Sequence, residues 1–335
     1  MGACWQLPSR HGAMAAAPAD PLTAWLQDRL GRRLVARTPV GGGCIHRAWR
    51  LQFADGGVLF AKTNRAAALP LLGAEVEGLL ALAAHAPEGL VVPEPLAWGT
   101  AADQAVLVMP WLDLDGIGGG SGDTAAVFRL GQSLADLHRA SAASSAGQGY
   151  GWPAANFIGS APQANGWRSS WGQFFVECRL APQLAWAARR SKPLQGAAAL
   201  LELVPQWLAG HPAEPVLVHG DLWCGNAALL SDGSGVIFDP ACYWGDREVD
   251  LAMAQLFGGF SPSFFAGYTS RWPLAPGASG RVALYNLYHL LNHANLFGGS
   301  YGQRAQASIL ELLSRGIPGG GSAASTPQHR VSHWW

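Results

Sequence analysis

LVHGDLWCGN, Leu217 to Asn226, is the stretch on which the fold turns. His219, Asp221 and Asn226 fall close together here, and thirteen residues after Asn226 comes another isolated acid, Asp239, in VIFDPACYWGD. Each acid follows an apolar run. The pattern His219-x-Asp221-x-x-x-x-Asn226 fits a phosphoryl-transfer loop, in which the Asp accepts the proton of the acceptor hydroxyl and the Asn holds a magnesium ion. Asp239 stands where a second metal-binding carboxylate is needed. Taken singly, Asp221 reads equally well as a loop cap, and Asn226 and Asp239 as turn residues; the joint order points to one metal-phosphate centre. His219 reads as a packed, hydrogen-bonded strut rather than a reacting group.

A phosphate site needs a cation upstream. Of the 22 basic residues only Lys62 and Lys192 are lysine. The chain thus writes Arg for a generic surface cation, and the Lys62 that ends VLFAK draws notice. Glu75, on a run with apolar residues at helical spacing over 66–84, is best placed to hold that ammonium. Gly41, Gly42 and Gly43 sit between two strand-like runs, where backbone N–H groups could approach a polyphosphate. Alone, such glycines are an ordinary hairpin: no Gly-Lys-Ser/Thr ending follows them, and no helix. With Lys62 and Glu75 in order behind them they form the nucleotide half of a kinase-like site.

Composition sets the frame. The chain has 335 residues, 49% apolar and 13% charged, with 22 acids against 22 bases. It can bury a sizeable core. Zero formal charge gives no basic footprint for nucleic acid or an anionic membrane, and no uninterrupted apolar run reaches the roughly 18 residues of a membrane span. Small-molecule partners are favoured. Five scattered cysteines without a Cys-x-x-Cys pair suit a reducing cytoplasm. Residues 1–20 show no secretory pattern and read as a flexible lead, with Met14 an alternative start.

Punctuation gives the organisation. Asp20-Pro21 and Gly31 bracket a short helix. Strand runs RLVARTPV, IHRAWRLQF, VLFAK, PEPLAWG and QAVLVMPWL, with one helix after the third, predict a five-stranded antiparallel sheet. Residues 21–112 then form a small nucleotide-binding lobe. After a Gly-rich connection, Asp123 caps a helix through His138, and 113–315 form a larger, mostly helical lobe for catalysis and acceptor binding. Residues 316–335 are too rich in Gly, Ser and Pro to fold alone.

At this point the sequence resembles the fructosamine kinases, or ketosamine-3-kinases, of the aminoglycoside-phosphotransferase-like branch of the protein-kinase-like fold. The resemblance runs from about Thr23 to Leu313 and is carried by GGGCIHRAW, LFAKTN, AEVEGLLAL, VHGDLWCGN, FDPACYWGDREVDLAM, QLFGGF and LNHANLFGGSY. It implies an α+β bilobal enzyme that phosphorylates the C3 hydroxyl of a ketosamine with ATP and Mg2+. The 3-phosphate is unstable and releases the amine, which is deglycation. Asp221 would be the base, Asn226 and Asp239 the magnesium ligands, Lys62 the phosphate anchor and Glu75 its partner, with adenine near Met109, Pro110 and Trp111. Acceptors would be small ketosamines or glycated proteins. A kinase for another small molecule, or a non-catalytic nucleotide-binding module, is the alternative.

Five further residues carry smaller expectations. Trp223 walls the sugar site or simply packs. Asp246 shapes the acceptor pocket or, with Arg247 and Glu248, merely opens a helix whose dipole favours acids there. His293 shares a helix face with His289 and Asn292, for sugar contacts or lobe packing. Cys44, directly after the glycines, is either an inert small side chain or a thiol whose oxidation, or disulfide to a second chain, obstructs ATP, so the protein is a monomer or a redox-dependent dimer. Asp250 ties down the catalytic loop.

Overall fold

The computed structural model describes residues 20–41, 45–117, 123–144, 147–190 and 192–315. Gly42, Gly43 and Cys44 lie outside the described residues, as do 1–19 and 316–335.

An amphipathic helix α1 (Pro21–Leu30) leads into strands β1 (Leu34–Val40), β2 (Arg47–Phe53) and β3 (Val58–Arg65). Helix α2 (Leu69–Ala83) follows, then β4 (Leu90–Val91), β5 (Ala97–Ala101), β6 (Gln104–Pro110) and β7 (Asp115–Gly116). Five strands pair antiparallel, as the sequence predicts, and their order is β1-β2-β3-β6-β5. Strand alternation explains the layering. Val106 and Val108 of β6 face α1 through Leu22 and Leu26. Ala105, Leu107 and Met109 face α2 through Leu72, Val76 and Leu79. The sheet is therefore covered on both faces.

One expectation shifts. The strand foreseen in PEPLAWG begins only at Ala97, because Pro93 and Pro95 cannot donate to a ladder; the Leu96 amide makes the first bond, to Val108 O at 2.8 Å. Helix α2 with its leading turn, Ala66–Ala83, has a mean hydropathy of 1.6, long and apolar enough for a span. It packs on the sheet instead, and its Glu75 is an ion-pair partner.

The rest is mostly helical. Helix α3 (Thr124–Ala142) starts at Asp123, whose carboxylate accepts from the Ala125 amide at 2.9 Å. A hairpin β8 (Asn156–Ile158) and β9 (Ala161–Gln163) precedes α4 (Trp171–Phe174), a π-helical turn at Phe175–Leu180, α5 (Ala181–Arg189) and α6 (Ala197–Ala209). Strands β10 (Val216–Val218), β11 (Ala227–Leu229), β12 (Gly235–Ile237) and β13 (Tyr243–Gly245) come next. Helices α7 (Glu248–Leu256), α8 (Pro262–Arg271), α9 (Ala278–Phe297) and α10 (Tyr301–Ser314) complete the chain. β10 pairs with β13, and β11 and β12 form a four-stranded sheet with β4 and β7. Helices α3 and α8 cross at glycines: a Cβ on Gly131 would lie 2.0 Å from Phe264 O, and one on Gly267 2.0 Å from Phe128 O.

Candidate active site

The loop after β10 is held from below by Asp250 on α7. Asp250 is fully buried and accepts from the His219 amide at 2.7 Å, the Gly220 amide at 2.8 Å and the His138 ring at 3.2 Å. Burial works to raise its pKa, but the His138 hydrogen bond, the nearby imidazoles and the Gly220 amide outweigh it, so the carboxyl is held below its ordinary value. His219 is a strut, as its sequence setting implies. Its Nε2 donates to Phe238 O at 2.9 Å while Nδ1 accepts from the Asp221 amide at 3.3 Å. That pairing fixes one neutral tautomer, and burial lowers its pKa further. Gly220 is at φ 80°, where a Cβ would also lie 2.2 Å from Ala241 O, so only glycine fits between the two loops.

Asp221 projects from this frame, half-buried. Burial first, and the negative charge of Asp250 second, push its pKa up to about 7, against a smaller opposing effect of the Asn226 hydrogen bond. A carboxyl poised near neutrality is what proton abstraction from an alcohol requires. Asn226 Nδ2 donates to Asp221 O at 2.9 Å and reaches Asp221 Oδ2 and Asp239 O at 3.4 Å. Its nitrogen is thus committed, which leaves the carboxamide oxygen as the ligating atom. With the Asp239 carboxylate this makes a hard, all-oxygen donor pair, the set that suits magnesium.

Lys62 reaches the same place from the sheet. Its Nζ donates to Glu75 Oε1 at 2.7 Å and also pairs with Asp239. Lys62 and Glu75 are both buried. Gly41 follows β1 and is exposed to solvent. Beside Lys62 stands His46, a neighbour that sequence reasoning missed: burial, then the Lys62 charge, lower its pKa, and its Nδ1 lies 3.0 Å from Asn64 Nδ2. Met109 is buried against α2, whereas Trp111 is part-exposed, 6.5 Å from the Phe60 ring and hydrogen-bonded through Nε1 to Asp113 at 2.8 Å.

On the other side of Asp221, aromatic rings form a wall. Trp223 is 37% exposed and meets Phe257 edge-on with ring centres 6.2 Å apart. Phe257 contacts His293 at 4.9 Å and Tyr301 at 6.3 Å. Phe257 and Tyr301 lie in segments that carry the family resemblance, QLFGGF and LNHANLFGGSY, but nothing in the sequence signalled that their rings meet. His293 Nδ1 bonds its own helix at His289 O, 2.9 Å away, and burial lowers its pKa. His289 is buried, its pKa lowered to about 3 by burial and then by His293.

Asp246 is an interior residue. It is 2% exposed and follows β13 beside the start of β10, since Gly245 pairs with Val216, whereas Asp221 follows the other end of β10. Its Oδ2 accepts from Tyr285 at 2.6 Å and His211 at 2.7 Å, and its Oδ1 accepts from the Glu248 amide at 3.1 Å. These bonds make it an internal strut of the β13–α7 corner.

Comparison with known proteins places this geometry. The fructosamine kinase family matches residues 20–315. The chain is 44% identical over 282 residues to a probable ketoamine kinase of Synechocystis, covering 84% of this chain and 91% of that one. It is 37% identical over 306 residues to the chloroplastic protein-ribulosamine 3-kinase of Arabidopsis thaliana, covering 90% of each. A crystal structure of a fructosamine-3-kinase candidate from Thermobifida fusca superposes with a TM-score of 0.75 at 31% identity, over 88% of this chain and 98% of that one. The α+β, protein-kinase-like architecture is common to both. With a catalytic-type loop, a buried Lys–Glu pair and this span of similarity, the chain belongs to the fructosamine kinase family.

Proposed function

We propose that the protein transfers the γ-phosphoryl group of ATP to the 3-hydroxyl of ketosamines, on small adducts or on glycated proteins, with Mg2+ as the metal. One observation carries the reading: Lys62 from the sheet, and Asp221, Asn226 and Asp239 from two separate loops, converge in one hydrogen-bonded and ion-paired cluster. The similarity to a probable ketoamine kinase and to a protein-ribulosamine 3-kinase supports the acceptor class.

In this reading Asp221 takes the proton of the acceptor O3 as that oxygen bonds to the γ-phosphorus, and the bond to the β-phosphate oxygen breaks, releasing ADP. Lys62 turns from Asp239 to the phosphates while Glu75 keeps its stem in place. Asn226 and Asp239 would hold magnesium, which would neutralise phosphate charge there. Little else is required, because phosphoryl transfer is mainly positioning and charge stabilisation. A positioned base contributes about 100- to 10,000-fold. The aromatic wall of Trp223, Phe257 and Tyr301 packs the acceptor against Asp221.

The test is ADP release with a panel of ketosamines differing in sugar length and amine. ATP turnover should appear only with a ketosamine present, and Asp221→Asn should lose at least about 100-fold in kcat while retaining nucleotide. Wild-type turnover by that variant, or indifference to every ketosamine in the panel, overturns the assignment.

A further inference from the structure

Asp239 is one of two non-glycine residues with positive φ among the described residues, at 57°. Such a conformation persists only where the surroundings fix it. The residues that follow are pinned by side chains with no part in the chemistry above. The Ala241 amide donates to His219 O at 2.8 Å. Gln163 Nε2 donates to Ala241 O at 3.1 Å, and Asn156 Nδ2 donates to Cys242 O at 2.8 Å.

Gln163 and Asn156 face each other across the β8–β9 hairpin, and both are buried. Their amide orientations are dictated, not free. Arg179, with 0% exposure, can only donate, and its Nη2 donates to Asn165 Oδ1 at 2.9 Å. That turns Asn165 Nδ2 toward Asn156 Oδ1, 2.7 Å away, and so turns Asn156 Nδ2 toward the Cys242 carbonyl. Tyr288 donates to Gln163 Oε1 at 2.7 Å and turns its Nε2 toward Ala241. Arg179 is delivered inward by the π-helical turn, stacks 3.8 Å from the Tyr243 ring centre, and pairs with no carboxylate among the described residues. At the hairpin tip a Cβ on Gly159 would lie 3.2 Å from Ile45 Cδ1, so the hairpin also lies beside Ile45.

We propose that Asn156 and Gln163 are positioning residues for Asp239, with Arg179 and Asn165 fixing their polarity: the amide clamp sets the 239–242 segment so that the strained carboxylate meets the cation. The proposal rests on Asp239 being a metal ligand, as in the function proposed above.

The full chain is titrated with Mn2+, an EPR-visible stand-in for magnesium, at saturating ATP, and separately with ATP in EDTA. Gln163→Glu puts an acceptor against the Ala241 carbonyl, and Asn156→Asp one against Cys242. Each should bind Mn2+ about tenfold more weakly while binding metal-free ATP within twofold of wild type. Gln163→Met keeps the volume and loses only the amide; it carries the same expectation and decides if the charged variants do not fold. Wild-type Mn2+ affinity in folded variants overturns the clamp, as does an equal loss of metal-free ATP, which marks general damage to the site. If wild-type protein binds ATP but no Mn2+, the reading of Asp239 as a ligand fails instead.

Discussion

The Asp250 carboxylate holds the His219 amide at 2.7 Å, so the loop that carries the proposed base hangs from a single buried acid on a different element. The same carboxylate accepts from Gly220 and His138. Asp250→Ala should therefore cost about 3–5 kcal/mol in urea unfolding, the range for breaking a buried charged network. The sign with pH follows from its lowered pKa. Its contribution is full above the unfolded carboxyl pKa of about 4 and is lost as pH falls through the lower folded value. The gap between wild type and variant should narrow below about pH 4.

Asp221 works the other way. Its pKa is raised to about 7, so keeping it ionised in the fold opposes stability, fully above that pH and progressively less toward the unfolded value. In EDTA, Asp221→Asn should melt higher than wild type at pH 8, with a smaller gain at pH 5. No gain at pH 8 would contradict the raised pKa.

Lys62 and Glu75 are 7% and 8% exposed; removing Lys62 leaves the Glu75 charge buried without its partner, whereas removing Glu75 leaves Lys62 with Asp239 alone. Lys62→Met should abolish detectable ATP binding by calorimetry. Glu75→Gln should weaken it about tenfold, roughly 1.4 kcal/mol.

Trp223→Ala and Asp246→Asn separate wall from strut. The first should raise KM for the ketosamine severalfold with KM for ATP unchanged. The second should lower the melting temperature and leave the ketosamine KM near wild type. A reversed pattern would return Asp246 to the pocket.

At the α3–α8 crossing, the backbone of one helix occupies the space of a Cβ on the other. Gly131→Ala should destabilise strongly despite the better helix propensity of alanine, because Phe264 O would be 2.0 Å away. Gly280→Ala, on open α9 surface with nothing within 4 Å, should instead be neutral or gain up to about 1 kcal/mol. Denaturant midpoints distinguish the two.

What the sequence made legible was what chemistry and local pattern encode together. Lys62, Glu75, Asp221, Asn226 and Asp239 stood out because each polar residue interrupts or ends an apolar run, and four of the five sheet strands, at seven or eight residues, are long enough for their pattern to show, whereas which strand lies beside which was not legible. Asp246 was harder to place because an acid at a helix start is equally suited to a dipole, a pocket or a buried corner; the β10–β13 register shows the corner it occupies. The β8–β9 hairpin and strands β4 and β7 are two or three residues long, too short for period-two patterning, and exist because distant chain segments supply their partners. The aromatic wall depends on which rings meet across α7, α9 and α10, which no spacing reveals.

Helix α2 lies hard against the segment that carries Asp239. A Cβ on Gly78 would lie 2.9 Å from Pro240 Cγ, and the Cys242 thiol approaches Gly78 O at 3.7 Å. The helix that presents Glu75 is therefore packed directly against the part of the molecule it must address, and to swing outward it would have to give up this packing.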